Sequence, residues 1–306
     1  MKRLICLFLI CILLSGCGAN TQKTLYHMNT VMHLQLWGKD CETAAARCDV
    51  ILRDLESLWS VTDANSSLSA INRGQDVKLD GPYQALLNQV EALSQRTGGA
   101  FNPKLYALSN AWGFYNEEFR VPTAEEITEA LSQEQWDLGA ALKGYAGYRL
   151  TLELDKLKVD RAMLNLGGNI QTYGEKADGS PWKIGIQNPD GGDYLGIISV
   201  TGTMAVVTSG DYQRYFEVDG VRYHHILDPE TGFPADSGLR SVTVICDDGL
   251  TADAFSTALF VMGLEDGTRF WRASDDFEAV FITNDGKIHA TEGVNLSGCD
   301  YEVIFR

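Results

Sequence analysis

The sequence predicts an α+β fold with largely antiparallel sheets and packed helices. Helical periodicity fills the first half of the chain, short β-rich segments dominate after Leu157, and tight turns connect those segments. Strands that follow one another in this way pair antiparallel, whereas a doubly wound fold would alternate strands with helices. No low-complexity linker or internal repeat interrupts the chain, so we expect one large domain.

Four helices are predicted before the strands. Each has apolar residues at helical spacing or a recognisable start or stop signal. They are a helix that follows the N-cap candidate Asp40 and reaches Trp59, one from Pro82 to about Arg96 before Gly98-Gly99, one with Thr123 and Glu126 as a capping box, and one over 140–154.

The predicted strands are short and rich in β-branched residues, and Asp-Gly dipeptides mark two hairpins. A further helix, Thr251 to Met262, follows the last long strand, and the second hairpin turns at Asp285-Gly286. The strands are Ala162–Leu166, Trp182–Gln187, Gly196–Val200, Met204–Thr208, the hairpin of Phe216–Val218 and Val221–Ile226, and Ser241–Cys246.

The N-terminus is typical of a bacterial lipoprotein signal. A basic start precedes an apolar run, Leu4 to Leu14, that is too short to cross a bilayer, and Ser15-Gly16-Cys17 follows it. We therefore expect a signal peptide over 1–16, lipidation of Cys17, a flexible tether over 17–24 and a domain over 25–306 on the extracytoplasmic face of the cell membrane. An uncleaved anchor is the alternative, and it also places the domain outside the cytoplasm.

Charge and cysteine content exclude several classes of protein. The net charge is −16, and removal of Lys2 and Arg3 with the signal makes it −18. Such an acidic protein lacks the basic surface that a nucleic-acid partner or a polybasic membrane contact requires. The remaining cysteines have neither zinc-ligand spacing nor the pattern of a disulfide scaffold, so free or buried thiols are expected at Cys41, Cys48, Cys246 and Cys299.

Three separated motifs combine to predict a site for a metal-bound pyrophosphate. Asp137-Leu-Gly-Ala140 with Lys143 brings a carboxylate and an ammonium to a helix N-terminus, where anions bind. Asp253 and Thr257 lie one helical turn apart, and such hard oxygen ligands suit Mg²⁺. Thr208–Asp211 ends a strand with hydroxyl groups. Each motif alone is equally well explained by helix capping or an ordinary polar turn.

Two further segments are candidates for ligand contacts. In Thr97–Pro103, two glycines allow close backbone approach and Phe101 offers a ring face to a flat heterocycle, although a helix C-cap with a buried aromatic also fits. His224 and His225 are adjacent on a strand and therefore point to opposite faces, so they are poorly placed to bind one metal. One of them is a candidate site residue, and a packed or solvated histidine is the alternative.

These blocks, in this order, resemble the ApbE family of FAD:protein FMN transferases, which implies a T-fold-like architecture. The resemblance runs from about Met28 to the last strand. Its most specific parts are Thr97–Asn102, Asp137–Tyr145, Asn165–Asn169, Trp182–Pro189, Thr208–Tyr212, His225–Gly232 with Pro234, Ser241–Val244 and Asp253–Thr257.

The resemblance also implies roles for individual residues. Thr62 stands where many members carry an aromatic residue, so one stacking surface for FAD is missing there. Asn29, Asn102 and Tyr148 are further departures from the family pattern. The implied FAD contacts are Met28, Thr62, Ala100, Phe101, Asn102, Asp137, Lys143 and Leu227, and the implied Mg²⁺ ligands are the Ala140 carbonyl with the Asp253 and Thr257 side chains.

The implied activity is Mg²⁺-dependent transfer of FMN from FAD to a Thr or Ser hydroxyl of another exported protein, with release of AMP. Such acceptors carry a short Ser/Thr-Gly-Ala-Ser/Thr type motif. His225 is the candidate base, Asp228 is a second catalytic candidate near it, and Lys143 assists with charge. Hydrolysis of FAD to FMN and AMP, and storage of FAD by a lipid-anchored carrier, are the alternatives.

Overall fold

A computed structural model describes residues 21–116 and 118–306. The predicted signal segment 1–16 and the lipidation site Cys17 lie outside the described residues, so both stay predictions. Within the described ranges, no helix combines the length and the apolar character that a membrane span requires.

The fold contains fourteen strands and seven helices within the described residues. The helices are α1 (Cys41–Trp59), α2 (Ser67–Asn72), α3 (Gly81–Arg96), α4 (Tyr106–Ala111), α5 (Ala124–Leu131), α6 (Leu142–Lys156) and α7 (Gly249–Arg272). The strands are β1 (Thr21–His27), β2 (Thr30–Trp37), β3 (Arg161–Leu166), β4 (Asn169–Tyr173), β5 (Trp182–Ile186), β6 (Gly196–Val200), β7 (Ala205–Gly210), β8 (Tyr215–Val218), β9 (Val221–His224), β10 (Leu239–Cys246), β11 (Glu278–Thr283), β12 (Ile288–Thr291), β13 (Leu296–Ser297) and β14 (Glu302–Ile304).

The strands form one large sheet and two small ones, which confirms the α+β prediction. The large sheet has the order β1-β2-β3-β4-β7-β10-β11-β12-β14, and its strands pair antiparallel except for β12 with β14. Strands β13, β6 and β5 form a second sheet, and β8 pairs with β9 in a separate hairpin. Antiparallel pairing follows from the short turns, since a parallel crossover needs a longer connection.

The large sheet packs against a hydrophobic core on each face, as the side chains of β10 illustrate. Its alternate residues Val242, Val244 and Cys246 face a core built largely from helices, which includes much of α1, α6 and α7. Ile245 faces a second core with Trp182 and other residues of the three-stranded sheet. Side chains alternate between the two faces of a strand, so one apolar strand serves both cores. A third, aromatic cluster joins α4 and α5 to the β8–β9 hairpin.

Several helix predictions are confirmed. Helix α3 spans the predicted segment almost residue for residue. The capping box before α5 is present: the Glu126 backbone N–H donates to Thr123 Oγ1 at 3.3 Å, and the Thr123 N–H donates to Glu126 Oε2 at 2.8 Å. Cys41, Cys48, Cys246 and Cys299 are free thiols, as expected.

The predicted boundaries were right in two places and wrong in one. Asp40 is the N-cap residue of α1, as predicted, although it has a left-handed φ of 52° and its side chain makes no capping hydrogen bond. Residues from Thr21 onward belong to β1 and not to a tether, because β1 pairs with β2 along its whole length. The predicted end of the last helix at Met262 is confirmed, because Gly263 has a non-helical φ of 79° that suits glycine; a second helical segment continues α7 from there to Arg272.

Strands β1 and β2 were missed, although the turn between them has a clear cause. Met28 and Asn29 both have positive φ, 51° and 56°, which makes a two-residue hairpin turn. The Met28 N–H donates to Glu56 Oε1 of α1 at 2.8 Å, so the turn is fixed against a helix. The β3–β4 turn at Gly167-Gly168 lies beside it, since β2 pairs with β3.

Candidate functional site

The N-terminal ends of α6 and α7 cross at two glycines, and this contact builds the centre of the site. A Cβ on Gly144 would overlap the carbonyl oxygen of Gly249 and would lie 2.6 Å from Asp253 Cβ. The close approach lets the Gly144 N–H donate to Asp253 Oδ2 at 2.8 Å. Two motifs that are 109 residues apart in the chain therefore meet at one carboxylate.

The Ala140 carbonyl lies just before the start of α6. Ala141 is the N-cap, and the first intrahelical bond runs from the Tyr145 N–H to the Ala141 carbonyl, so no N–H of the helix reaches Ala140. Within the part of the chain that the structure describes, the Ala140 oxygen has no hydrogen-bond partner. A carbonyl oxygen without a partner beside a carboxylate is a suitable ligand for a hard cation.

Asp253 is 5% exposed, and burial raises the pKa of its carboxyl group. The Lys143 ammonium opposes this shift most strongly, followed by the Gly144 N–H and the Asn169 amide. Asn169 begins β4 and is also buried, and its Nδ2 makes no standard hydrogen bond within the described ranges. A cation here would favour the ionised carboxylate that burial disfavours.

Thr257 lies one turn along α7 from Asp253 and connects the third motif to the site. Ser209 Oγ of β7 is 3.2 Å from Thr257 Oγ1 and 2.8 Å from Ser256 Oγ. Thr208–Asp211, to which the sequence assigned no chemical role, thus contributes a hydroxyl next to the predicted metal ligand. Together, Ala140, Asp253 and Thr257 offer the carbonyl, carboxylate and hydroxyl oxygens that fit Mg²⁺.

His225 follows β9 and is held by main-chain contacts. Its Nδ1 is 3.1 Å from the Arg214 carbonyl oxygen, which also accepts the His225 backbone N–H at 3.1 Å. A carbonyl can only accept, so Nδ1 carries the proton and Nε2 has a free lone pair. Burial, and then the Arg214 charge, lower the pKa of His225 to about 3. The imidazole is therefore neutral, as a proton acceptor must be.

The adjacent His224 points the other way, as predicted. Its Nε2 is 3.2 Å from the Ala235 carbonyl, and its ring packs edge-on against Phe260 of α7. Burial lowers the pKa of His224 as well. His224 is thus a packed histidine of the core, and His225 is the one that faces the site.

Lys143 connects the two parts of the site. Its charge acts both on the Asp253 carboxyl group and on the His225 imidazole. Because Lys143 stands on the first turn of α6, the Gly144–Gly249 contact that positions Asp253 also positions this ammonium. The predicted metal ligands, the lysine and the histidine therefore lie around one region.

Asp137 forms a second polar cluster at the same end of the molecule. Its Oδ2 accepts a hydrogen bond from the Tyr115 hydroxyl at 2.6 Å, and its Oδ1 accepts the Gly139 N–H at 2.8 Å. Burial raises the pKa of Asp137, while Tyr115, Gly139 and the Arg214 charge oppose the rise. Asp137 shapes the loop before α6, which is closer to the capping alternative than to a free carboxylate.

Three predicted site residues are placed differently from the expectation. Phe101 is 1% exposed within the main core, so its ring face is not open to a heterocycle. The Leu227 side chain is buried in the aromatic cluster. Both carboxylate oxygens of Asp228 bind their own turn, at the Glu230 N–H and the Thr231 hydroxyl. Those bonds stabilise a turn, and none joins Asp228 to His225.

The other predicted FAD contacts lie on turns and loops. Met28 is at the β1–β2 turn. Ala100 and Asn102 are half-buried, and Asn102 Oδ1 accepts the Lys104 N–H at 2.9 Å. Thr62 lies in the exposed turn after α1, 3.1 Å from Ser60 Oγ. Sequence reasoning gave no individual role to Tyr115, Asn169, Ser209 or Arg214, since only tertiary contacts bring them to the site.

Comparison with known proteins shows the family of this chain. The ApbE family model matches residues 28–281. A Klebsiella pneumoniae FAD:protein FMN transferase is 35% identical over 289 residues, covering 85% of this chain and 88% of the relative. A Treponema pallidum protein of the same name is 30% identical over 335 aligned positions, covering 94% and 92%.

Solved structures show the same relationship. The Thermotoga maritima ApbE protein matches with a TM-score of 0.82 at 33% identity, covering 89% of this chain and 97% of that one. The Vibrio cholerae flavin transferase ApbE matches with a TM-score of 0.79 at 28% identity, with coverage of 89% and 97%. With the family model matched over most of its length and the same fold in these relatives, the chain belongs to the ApbE family.

Proposed function

We propose that this protein transfers FMN from FAD to a Ser or Thr hydroxyl of an exported acceptor protein, releasing AMP in a Mg²⁺-dependent reaction. The names of its relatives support flavin transfer to protein. The observation that carries the proposal is the 2.8 Å bond from the Gly144 N–H to Asp253 Oδ2, which joins the motif of Ala140 and Lys143 to the motif of Asp253 and Thr257. A lysine and a set of cation ligands brought together in this way suit phosphoryl transfer.

His225 acts as the base in this proposal. The acceptor hydroxyl oxygen forms a bond to the FMN phosphorus, and the bond from that phosphorus to the oxygen of the AMP phosphate breaks. The hydroxyl proton passes to His225 Nε2, and AMP leaves with the electron pair. The Arg214 carbonyl keeps the proton on Nδ1, so the lone pair of Nε2 stays available.

The oxygen ligands and Lys143 deal with the charge of the pyrophosphate. Mg²⁺ bound by Ala140, Asp253 and Thr257 would neutralise the pyrophosphate and the charge that develops on AMP. The Gly144 N–H holds the Asp253 carboxylate in place for such a cation. Lys143 adds a point charge for the pyrophosphate. We assign Asp228 to its turn and leave it out of the chemistry.

The proposal includes the membrane. Lipid on Cys17 would hold the domain at the extracytoplasmic face, where an exported acceptor with a Ser/Thr-Gly-Ala-Ser/Thr type motif is accessible. The acidic charge of the chain supports a lipid anchor over an electrostatic one, because the cytoplasmic type of polybasic contact needs Lys and Arg. No nucleic-acid partner is proposed, for the same reason.

One assay separates transfer from its alternatives. The full-length chain in detergent is incubated with FAD and Mg²⁺, with and without a carrier protein bearing the acceptor motif, and AMP and protein-bound flavin are measured. AMP that appears only with the acceptor supports transfer. AMP without the acceptor indicates hydrolysis, and FAD binding without AMP indicates storage. His225→Ala should bind FAD like the wild type yet release no AMP, and an active His225→Ala would contradict the assignment of the base.

Hydrolysis of FAD is the second candidate because of Thr62. This residue is exposed and bonds to Ser60, and it lacks a ring on which FAD could stack. A site that holds FAD less tightly would admit water in place of the acceptor hydroxyl. Thr62→Tyr should then increase FAD affinity and reduce AMP release in the absence of acceptor.

A further inference from the structure

Arg214 is a cation at the edge of the site that the proposed chemistry does not yet use. Its guanidinium carbon lies 5.7 Å from the centre of the Tyr115 ring and 5.8 Å from that of Phe114. Within residues 21–116 and 118–306, no carboxylate lies within ion-pair distance of it. The residue is exposed, so its guanidinium is open to a ligand.

The position of Arg214 is fixed from two sides. Its carbonyl oxygen holds both the backbone and the ring of His225, each at 3.1 Å. Its side chain lies over Tyr115, whose hydroxyl binds Asp137 at 2.6 Å. The guanidinium therefore stands between the candidate base and the loop that precedes α6 and carries Asp137.

Two other arginines, unlike Arg214, form ion pairs with carboxylates. Arg240 pairs with Asp211 and Asp190, each at 2.9 Å. Arg222, on the same hairpin as Arg214, lies 3.6 Å from Glu217 and 3.8 Å from Asp211. In a chain with 41 acidic and 25 basic residues, carboxylate partners are abundant. A site-facing arginine that uses none of them is available for an anionic ligand.

We propose that the Arg214 guanidinium binds a non-bridging oxygen of the FMN phosphate of FAD and so positions the phosphorus that the acceptor hydroxyl attacks. The inference rests on the proposed function. The base must stand beside the attacking hydroxyl, and the residue whose carbonyl holds the base is therefore on the same side of the phosphorus. A guanidinium matches phosphate geometry with two parallel N–H donors. In this arrangement Lys143 and the proposed Mg²⁺ ligands interact with the bridging oxygen of the pyrophosphate and with the AMP phosphate.

The test compares ligands with and without that phosphate. Binding of FMN and riboflavin to the full-length chain in detergent with Mg²⁺ is followed by flavin fluorescence, and AMP binding by calorimetry. The variants are Arg214→Ala and Arg214→Lys, both of which keep the carbonyl that holds His225. Arg222→Ala is the matched control, because it removes the same charge from the same hairpin.

Arg214→Ala should weaken FMN binding by about tenfold or more, the value of a lost charged hydrogen bond, with riboflavin and AMP nearly unchanged. Arg214→Lys should recover part of the loss, and Arg222→Ala should bind all three ligands like the wild type. An equal loss for FMN and riboflavin would show that Arg214 merely supports the Tyr115 ring. A loss confined to AMP, or a wild type that binds FMN no better than riboflavin, would also overturn the proposal.

These binding measurements need no turnover. A protein that binds FMN through Arg214 but releases no AMP from FAD would disprove the proposed function and leave this inference standing. An Arg214→Ala variant that transfers FMN normally and binds FMN with unchanged affinity would disprove this inference and leave the proposed function standing.

Discussion

Substitution of Gly144 by alanine tests whether the α6–α7 crossing builds the site. The new Cβ would overlap the Gly249 carbonyl oxygen and would lie 2.6 Å from Asp253 Cβ and 2.7 Å from the Gly249 carbonyl carbon. Ordinary carbon contacts are about 3.5 to 4.0 Å, so the helices must separate by roughly 1 Å. That separation would break the 2.8 Å bond from the Gly144 N–H to Asp253.

The cost can be worked from these contacts. Overpacking costs about 1 to 3 kcal/mol, and a lost hydrogen bond to a carboxylate costs about 1.5 to 3 kcal/mol. Alanine in place of helical glycine returns about 1 kcal/mol. Gly144→Ala should therefore lower the free energy of unfolding by about 2 to 5 kcal/mol, and it should raise the Mg²⁺ concentration needed for FAD turnover.

Gly147→Ala is the matched control, on the same helix one turn further along. Its Cβ would lie 3.2 Å from Gln171 Oε1 and 3.3 Å from Gln171 Cβ, a tight contact that a side chain relieves by a small shift. Both variants gain the same helix propensity, so the difference between their urea denaturation curves measures the crossing alone. Equal stability of Gly144→Ala and Gly147→Ala, or an unchanged Mg²⁺ requirement for Gly144→Ala, would refute the reasoning.

Three further predictions concern single residues. Asp253→Asn should reduce Mg²⁺-stimulated AMP release by more than about a hundredfold, and retained Mg²⁺ stimulation would show that Asp253 is not a metal ligand. Its melting temperature should not fall, because the substitution removes a buried charge that is costly for folding. With a pKa of about 3, His225 should cause no change of slope near pH 6.5 in a plot of kcat/KM for FAD against pH, and a loss of activity below pH 6.5 would argue against a neutral His225. The free energy of unfolding should fall as the pH drops from 6.5 toward 3, because the histidine binds a proton in the unfolded chain but not in the folded one. Phe101→Ala should lower the free energy of unfolding, measured by urea denaturation, by about 3 to 5 kcal/mol, because the ring is buried. A stable variant with weakened FAD binding would indicate that the ring contacts FAD.

The residues of the site differ in how far the sequence could predict them. Asp253 and Thr257 were identified together because a four-residue spacing on a helix puts both on one face, a purely local rule. For Phe101 the sequence left two alternatives open, because an aromatic residue beside two glycines looks the same in sequence whether its ring faces a ligand or the core; the structure shows the buried ring. Asp228 was misjudged for a similar reason, since its turn with Thr231 uses the oxygens that the sequence left free.

The sequence by itself determined the α+β class, the ends of several longer helices, and three groups of oxygen and nitrogen ligands, because periodicity, capping and turn chemistry act over a few residues. Only the tertiary structure decided which of those groups meet. The Gly144–Gly249 crossing joins residues more than a hundred positions apart and directs an N–H to Asp253. The neutral His225, the Arg214 side chain, which has no ion-pair partner among the residues that the structure describes, and the hydroxyl of Ser209 likewise depend on contacts across the fold, which spacing along the chain cannot express.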